Sequence, residues 1–158
     1  MEATKRWNML GNLPRGLVFI VSAPAGTGKT TLVDRLCDEL PEVCRSITCT
    51  TRAPRSGERS GEAYRFISTE EFAEREARGD FLECAQVFGN LYGTLRSDVE
   101  AILDTGRHVV LVIDTQGAMQ LRDQMDAITI FLMPPSMEVL RERLEKRGTD
   151  TPESVAVR

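Results

Sequence analysis

The stretch "GLVFIVSAPAGTGKTTL", residues 16–32, constrains this chain more than any other. Its first half is a continuous apolar run rich in β-branched residues, the pattern of a strand buried on both faces. Its second half turns through Pro24, Gly26 and Gly28 and runs straight into Lys29-Thr30-Thr31. Beyond it Leu32, Val33, Leu36, Cys37 and Leu40 recur at helical spacing, and Pro41 closes the helix. A buried strand, a glycine turn and a helix that opens on Gly-Lys-Thr leave few folds open.

The layout is that of a P-loop, and each residue type answers a need of the phosphate chain. Successive backbone N–H groups curl into an anion-binding nest, and the helix N-terminus adds unpaired donors and the positive end of its dipole. Gly26 and Gly28 give the required dihedrals and close approach. Lys29 places a point charge on the β- and γ-phosphates, and the Thr30 hydroxyl can ligate Mg²⁺. Residues Ala23, Pro24, Ala25, Gly26, Thr27, Gly28, Lys29, Thr30 and Thr31 are the expected ATP-binding loop. The general pattern asks for Gly where Ala23 stands; Ala costs little there if φ is negative.

The apolar runs "HVVLVID" (108–114) and "AITIFLM" (127–133) add two further strands, and helical patterns lie near 116–125 and 137–147. Buried strands alternating with helices predict a parallel α/β sheet. Residues 46–106 differ: short segments of mixed polarity, with apparent capping boxes at Ser68–Glu71 and Ser97–Glu100, and Gly79 and Gly106 at the ends of the helices they open. This stretch reads as a mobile insertion between core elements. The divisions expected are a core of 15–45 and 107–136, an insertion of 46–106, a lid from 137 to 158, and an N-terminal extension of 1–14.

With 158 residues, 41% apolar and 28% charged, the chain suits one globular domain. A net charge of −4 argues against a general nucleic-acid binder. Cys37, Cys44, Cys49 and Cys84 form no C-x-x-C pair, and the lone His108 gives no metal-ligand spacing, so free thiols in a reducing compartment are expected. The first residues lack the apolar core of a signal peptide, and no apolar run reaches the roughly 20 residues of a membrane span. A cytoplasmic location without membrane contact follows as the expectation.

The loop "RAPRSGERSGEA" (52–63) brings Arg52, Arg55 and Arg59 together, with Tyr64 just after. Alone it reads as a solvated basic loop. Behind a P-loop it reads as a second phosphate site, since an Arg fork matches a phosphate bidentately. A helix from about 137 to 147 places Arg143 and Arg147 at i and i+4, on one face.

Four segments in register behind the P-loop, "TTRAPRSGERSGEAYRF", "FLECAQVFGNLYGT", "IDTQGA" and "PPSMEVLRERLEKRGT", resemble guanylate kinase, a P-loop nucleoside monophosphate kinase. The resemblance runs from about residue 15 to 158. It implies a P-loop NTPase-type parallel sheet flanked by helices, a mixed α+β GMP-binding insertion and a helical lid. It implies transfer of the γ-phosphoryl group of ATP to GMP, and to dGMP, in purine nucleotide metabolism, with Mg²⁺, in a monomer or homodimer. Carried over position by position, Arg52, Arg55, Tyr64 and Tyr92 hold the GMP phosphate. Thr48, Glu83, Thr94 and Asp114 surround the guanine. Lys29, Arg52, Arg143, Arg147 and Arg158 act on the transferred group, and Thr30 meets the metal. The family continues past this point with a further lid helix, a core strand and a closing helix, so a longer natural chain is expected.

Guanine chemistry fits Glu83 in that role: N1–H and N2–H₂ are adjacent donors that a carboxylate accepts together, whereas adenine presents an acceptor at N1. Three positions depart from the family: Thr48 stands for a usual Ser and keeps the hydroxyl, Leu91 for a Tyr, and Val112 for an acidic residue near the metal. The alternative from another class is a catalytically inactive, guanylate-kinase-like phosphopeptide-binding module. Such modules typically lose the Lys that this chain keeps at position 29.

Overall fold

The computed structural model describes residues 15–146. Arg147, Arg158 and the N-terminal extension 1–14 lie outside the described residues. The elements in chain order are β1 (Val18–Ser22), α1 (Lys29–Glu39), β2 (Val43–Arg45), β3 (Thr48–Thr50), β4 (Tyr64–Phe66), α2 (Thr69–Ala77), β5 (Phe81–Val87), β6 (Asn90–Leu95), α3 (Arg96–Asp104), β7 (His108–Ile113), α4 (Thr115–Leu121), β8 (Ile128–Phe131) and α5 (Met137–Lys146).

The strands form two sheets. The first, in order β2-β7-β1-β8, is parallel throughout, as the alternation of apolar runs and helices predicts. Alternate residues of its central strands feed two cores. Val18, Ile20, Val109, Leu111 and Ile113 pack on one face with Val99 and Leu103 of α3 and Leu121 of α4. Val21 and Val110 pack on the other with Val33 of α1. A helix on each face makes the strands β1 and β7 apolar without alternation.

β8 forms as a parallel strand beside β1, where its apolar run predicts one. Its apolar side chains Ile128, Ile130 and Phe131 are 48%, 43% and 50% exposed. Among the described residues β8 pairs only with β1, and no helix covers it. An apolar run reports capacity for burial; what packs on it is settled elsewhere in the chain.

The second sheet, in order β4-β3-β6-β5, pairs β3 with β4 parallel and the other neighbours antiparallel. It has its own small core of Cys49, Phe72, Phe81 and Leu95, in which the Phe72 and Phe81 rings stack at 4.5 Å. Ser68 caps α2 as its sequence predicts, its side chain accepting from Glu71 N at 3.1 Å. The matching box at Ser97 does not form. α3 begins two residues earlier than that box requires, Leu95 holds the N-cap position with no side-chain bond, and Asp98 instead pairs with Arg65 at 2.9 Å. Gly79 and Gly106 follow the helix ends with φ of 72° and 79°. All of Cys37, Cys44, Cys49 and Cys84 are free thiols, and among the described residues no helix is long and apolar enough to cross a membrane.

Candidate active site

The two sheets face each other across a cleft of about 740 Å³. One wall is the turn from β1 into α1. Gly28 is the N-cap of α1 with φ 99°; a Cβ there would meet nothing, so the left-handed backbone alone demands glycine. Gly26, with φ 85°, is constrained twice, because a Cβ would come within 2.8 Å of Leu144 on α5. Phe88 is the one non-glycine residue with positive φ among the described residues, so Ala23 stands without strain where the general motif has glycine. The Lys29 ammonium donates to the carbonyl oxygens of Ala23 and Pro24, and Thr27 Oγ1 donates to Pro24 O at 2.9 Å. Residues 25–31 line the cleft; Ala23 and Pro24 lie behind them as acceptors. From α5, Arg143 Nη1 donates to Thr27 O at 3.0 Å and also lines the cleft.

The opposite wall belongs to the second sheet. Thr48, Arg55, Tyr64, Glu83 and Tyr92 line it, and Asp114 joins them from the end of β7. Thr48 and Thr94 sit opposite each other in the β3–β6 register, and Glu83 pairs with Thr94 in the β5–β6 register. These strand pairings gather residues 46 positions apart in sequence. Glu83 is 4% exposed, and its Oε1 accepts from Thr94 Oγ1 at 2.7 Å. Burial, added to by the nearby Asp114 carboxylate, pushes its carboxyl up to about 7, although the Thr94 hydroxyl bond pulls the other way. Thr94 itself is fully buried behind Glu83. The Thr48 hydroxyl is buried with no hydrogen-bond partner on the wall of the cleft, an orphan that a polar ligand would satisfy. Asp114 Oδ1 accepts from Gly117 N at 2.9 Å, so it also caps α4.

Arg52 is turned to a neighbour. Its guanidinium grips the Glu58 carboxylate with both terminal nitrogens at 3.0 Å, and lies 5.2 Å from the Tyr64 ring centroid. Glu58 Oε2 also accepts from Arg55 N at 2.7 Å. Burial alone would raise the Glu58 carboxyl, but Arg52 and Arg55 hold it below the usual range. Sequence reasoning passed over Glu58, although an acidic residue six places after one Arg and three after another is a legible internal counter-ion. It also passed over Phe88 and Val87, which line the cleft at the β5–β6 turn, and over Gly117.

The chain is similar to known proteins over most of its length. The sequence profile of the family described as "Guanylate kinase" matches residues 15–158. A guanylate kinase of Clostridium perfringens (strain 13 / Type A) is 47% identical over 145 residues, covering 91% of this chain and 67% of the relative. One of Symbiobacterium thermophilum is 49% identical over 148 residues, covering 93% of this chain and 70% of the relative. The crystal structure of guanylate kinase from Anaplasma phagocytophilum superposes with a TM-score of 0.71 at 37% identity, over 84% of this chain and 68% of that one.

Proposed function

The chain belongs to the guanylate kinase family, and from that premise we propose that it transfers the γ-phosphoryl group of ATP to GMP or dGMP, giving ADP and GDP or dGDP. One observation carries the proposal: a single cleft joins a P-loop on one wall to a buried carboxylate and an orphaned hydroxyl, Glu83 and Thr48, on the other. Guanine brings two adjacent N–H donors to that carboxylate. Adenine would set a lone pair against it, and a buried polar group left unpaired discriminates strongly.

In this reading residues 23–31 cradle the donor phosphates, with loop N–H groups and the α1 dipole as the fixed positive field. Lys29, now bonded to carbonyls of its own loop, turns its ammonium to the β- and γ-phosphates. Arg55, Tyr64 and Tyr92 hold the acceptor phosphate, and Arg52 joins them when it exchanges the Glu58 carboxylate for phosphate oxygens. Arg143 reaches the transferred group from α5, and Arg147 and Arg158 complete the lid. A loose transition state asks for alignment and neutralisation more than for a general base, so Asp114 is assigned to guanine.

Among the described residues no three ligating side chains converge on a metal site. That fits Mg²⁺, which keeps several waters and takes one or two protein oxygens besides substrate phosphates. The Thr30 hydroxyl, in the first turn of α1 and on the cleft wall, is the protein donor proposed for it. Val112, also on that wall, contributes none. The ion, when bound, neutralises charge on the phosphate oxygens.

The division into core 15–45 and 107–136, insertion 46–106 and lid from 137 is proposed as the working unit. Free thiols suit the reducing cytoplasm, proposed as the location. The experiment is an ADP-release assay with ATP and Mg²⁺, scanning GMP, dGMP, AMP, CMP and UMP. Turnover with the guanine nucleotides alone supports the proposal; equal turnover with AMP would overturn it.

A further inference from the structure

The seam between α4 and β5 contains a glycine whose place neither dihedral angle nor helix propensity explains. Gln120 clamps the Cys84 backbone from both sides, Oε1 accepting from Cys84 N at 3.2 Å and Nε2 donating to Cys84 O at 2.7 Å. One turn earlier Gln116 Nε2 reaches Gln86 O at 3.4 Å. These bonds draw the first turn of α4 against Glu83, with Gly117 at the contact. A Cβ on Gly117 would lie 2.4 Å from Glu83 Oε2 and 3.1 Å from its Cδ. The carboxylate has no easy retreat, since Thr94 Oγ1 holds its other oxygen at 2.7 Å.

Gly117 has no positive φ, so the backbone does not require glycine. It is buried in a helix, where glycine costs about 1 kcal/mol relative to alanine. Its N–H is already given to Asp114 Oδ1 at 2.9 Å, so it does not bond Glu83. What remains is space, and the atom that occupies that space is a carboxylate oxygen.

We propose that Gly117 is a specificity-positioning residue: the missing side chain is the seat that holds the Glu83 carboxylate in register for guanine. The inference rests on Glu83 reading the base. Any side chain at 117 displaces that carboxylate from the place where Thr94 Oγ1 holds it. The damage falls on the acceptor and spares the donor, because the P-loop is a separate wall. Asp114, the N-cap of α4, and the Thr94 hydroxyl from β6 are the polar groups facing Glu83; Cys84, next along β5, turns its thiol to Glu76 at 3.1 Å.

The test is titration calorimetry on the whole chain, with GMP and ATP separately, for wild type, Gly117→Ala, Glu83→Asp and the double variant. Gly117→Ala is expected to weaken GMP binding about tenfold or more and leave ATP binding within about twofold. Its GMP affinity should also fall off at a lower pH than that of wild type, because the displaced carboxyl is better solvated. Glu83→Asp withdraws the carboxylate by one methylene. Alone it weakens GMP; combined with Gly117→Ala it should bind GMP about threefold better than Gly117→Ala does, since the clash is relieved. Wild-type GMP affinity in Gly117→Ala, or equal losses for GMP and ATP, would overturn the inference, as would a double variant no tighter than Gly117→Ala. A wild type that does not bind GMP would instead overturn the proposed function.

Discussion

The two walls of the cleft are built by opposite means. The P-loop wall is one run of seven residues, 25–31, backed by Ala23 and Pro24, whose geometry follows from local backbone: two glycines at φ 85° and 99° and a helix that starts on Lys29. The opposite wall, proposed to read guanine, is assembled from β3, β5, β6 and the start of α4, and no two of Thr48, Glu83, Thr94 and Asp114 are closer than eleven positions in sequence. A contiguous site fails locally and wholly when one residue is lost. An assembled site fails through register, and its failures spare the other wall. The proposed function turns this contrast into separable effects on ATP and GMP.

The largest effect expected is from Lys29→Ala. It removes the one ammonium in the loop and should lower kcat on the order of a thousandfold, with the fold intact by circular dichroism. Unchanged kcat would break the comparison, because the P-loop would then be scaffolding. Next comes Glu83→Gln. The amide keeps one acceptor and turns an N–H₂ toward the guanine donors, so KM for GMP should rise on the order of a hundredfold while KM for ATP stays near wild type. Equal losses on both substrates would remove Glu83 from base reading.

The third effect is a pH dependence carried by one wall only. The Glu83 carboxyl sits near 7 in the folded chain instead of near 4.5. Below that pH it holds a proton and cannot accept both guanine donors, so GMP affinity should fall about tenfold per pH unit below about 7 and level off above it. Stability moves with the opposite sign. The folded state binds the proton more tightly than the unfolded state, so this contribution is complete below about 4.5 and is lost as pH rises through about 7. GMP's phosphate titrates in the same range, so the quantity to compare is wild type minus Glu83→Gln, in which only the carboxyl differs. A difference that is flat from pH 5.5 to 8.5 would contradict the burial argument.

The same contrast explains what was legible in the sequence. "FIVSAPAGTGKTTL" reads as strand, nest and helix because every constraint is local, and β1 and α1 form where that run predicts. β7 was equally plain, since "HVVLVI" is buried on both faces between α1 and α3. The guanine wall was reachable only through the family resemblance, for nothing in "FLECAQV" alone distinguishes Glu83 from a surface charge. Two features stayed hidden for one physical reason: they depend on partners distant in sequence. Ser97 fits a capping box, yet α3 starts at Arg96 and Asp98 is drawn to Arg65. Gly117 looks like an ordinary helical glycine until β5 is laid beside it.

The smallest effect expected tests whether the second sheet is a unit in its own right. Ser68 Oγ accepts from Glu71 N at 3.1 Å and starts α2 on its course, and α2 carries Phe72 into the stack on Phe81. Ser68→Ala leaves the Glu71 N–H of the first turn to solvent and should cost about 1 kcal/mol. For a chain of this length that lowers the melting temperature by roughly 2–4 °C. Gly93 lies under the same stack, where a Cβ would come within 2.9 Å of Phe81, so the β6 strand that carries Tyr92 and Thr94 feels any loosening of α2. The guanine wall is therefore reached only through packing, and GMP affinity should drop by no more than about twofold, with ATP affinity unchanged. Hydrogen exchange separates the outcomes: faster exchange confined to residues 48–95 marks the second sheet as its own cooperative unit, whereas an equal rise across β1 and β7 would show the two walls to be one body that unfolds together.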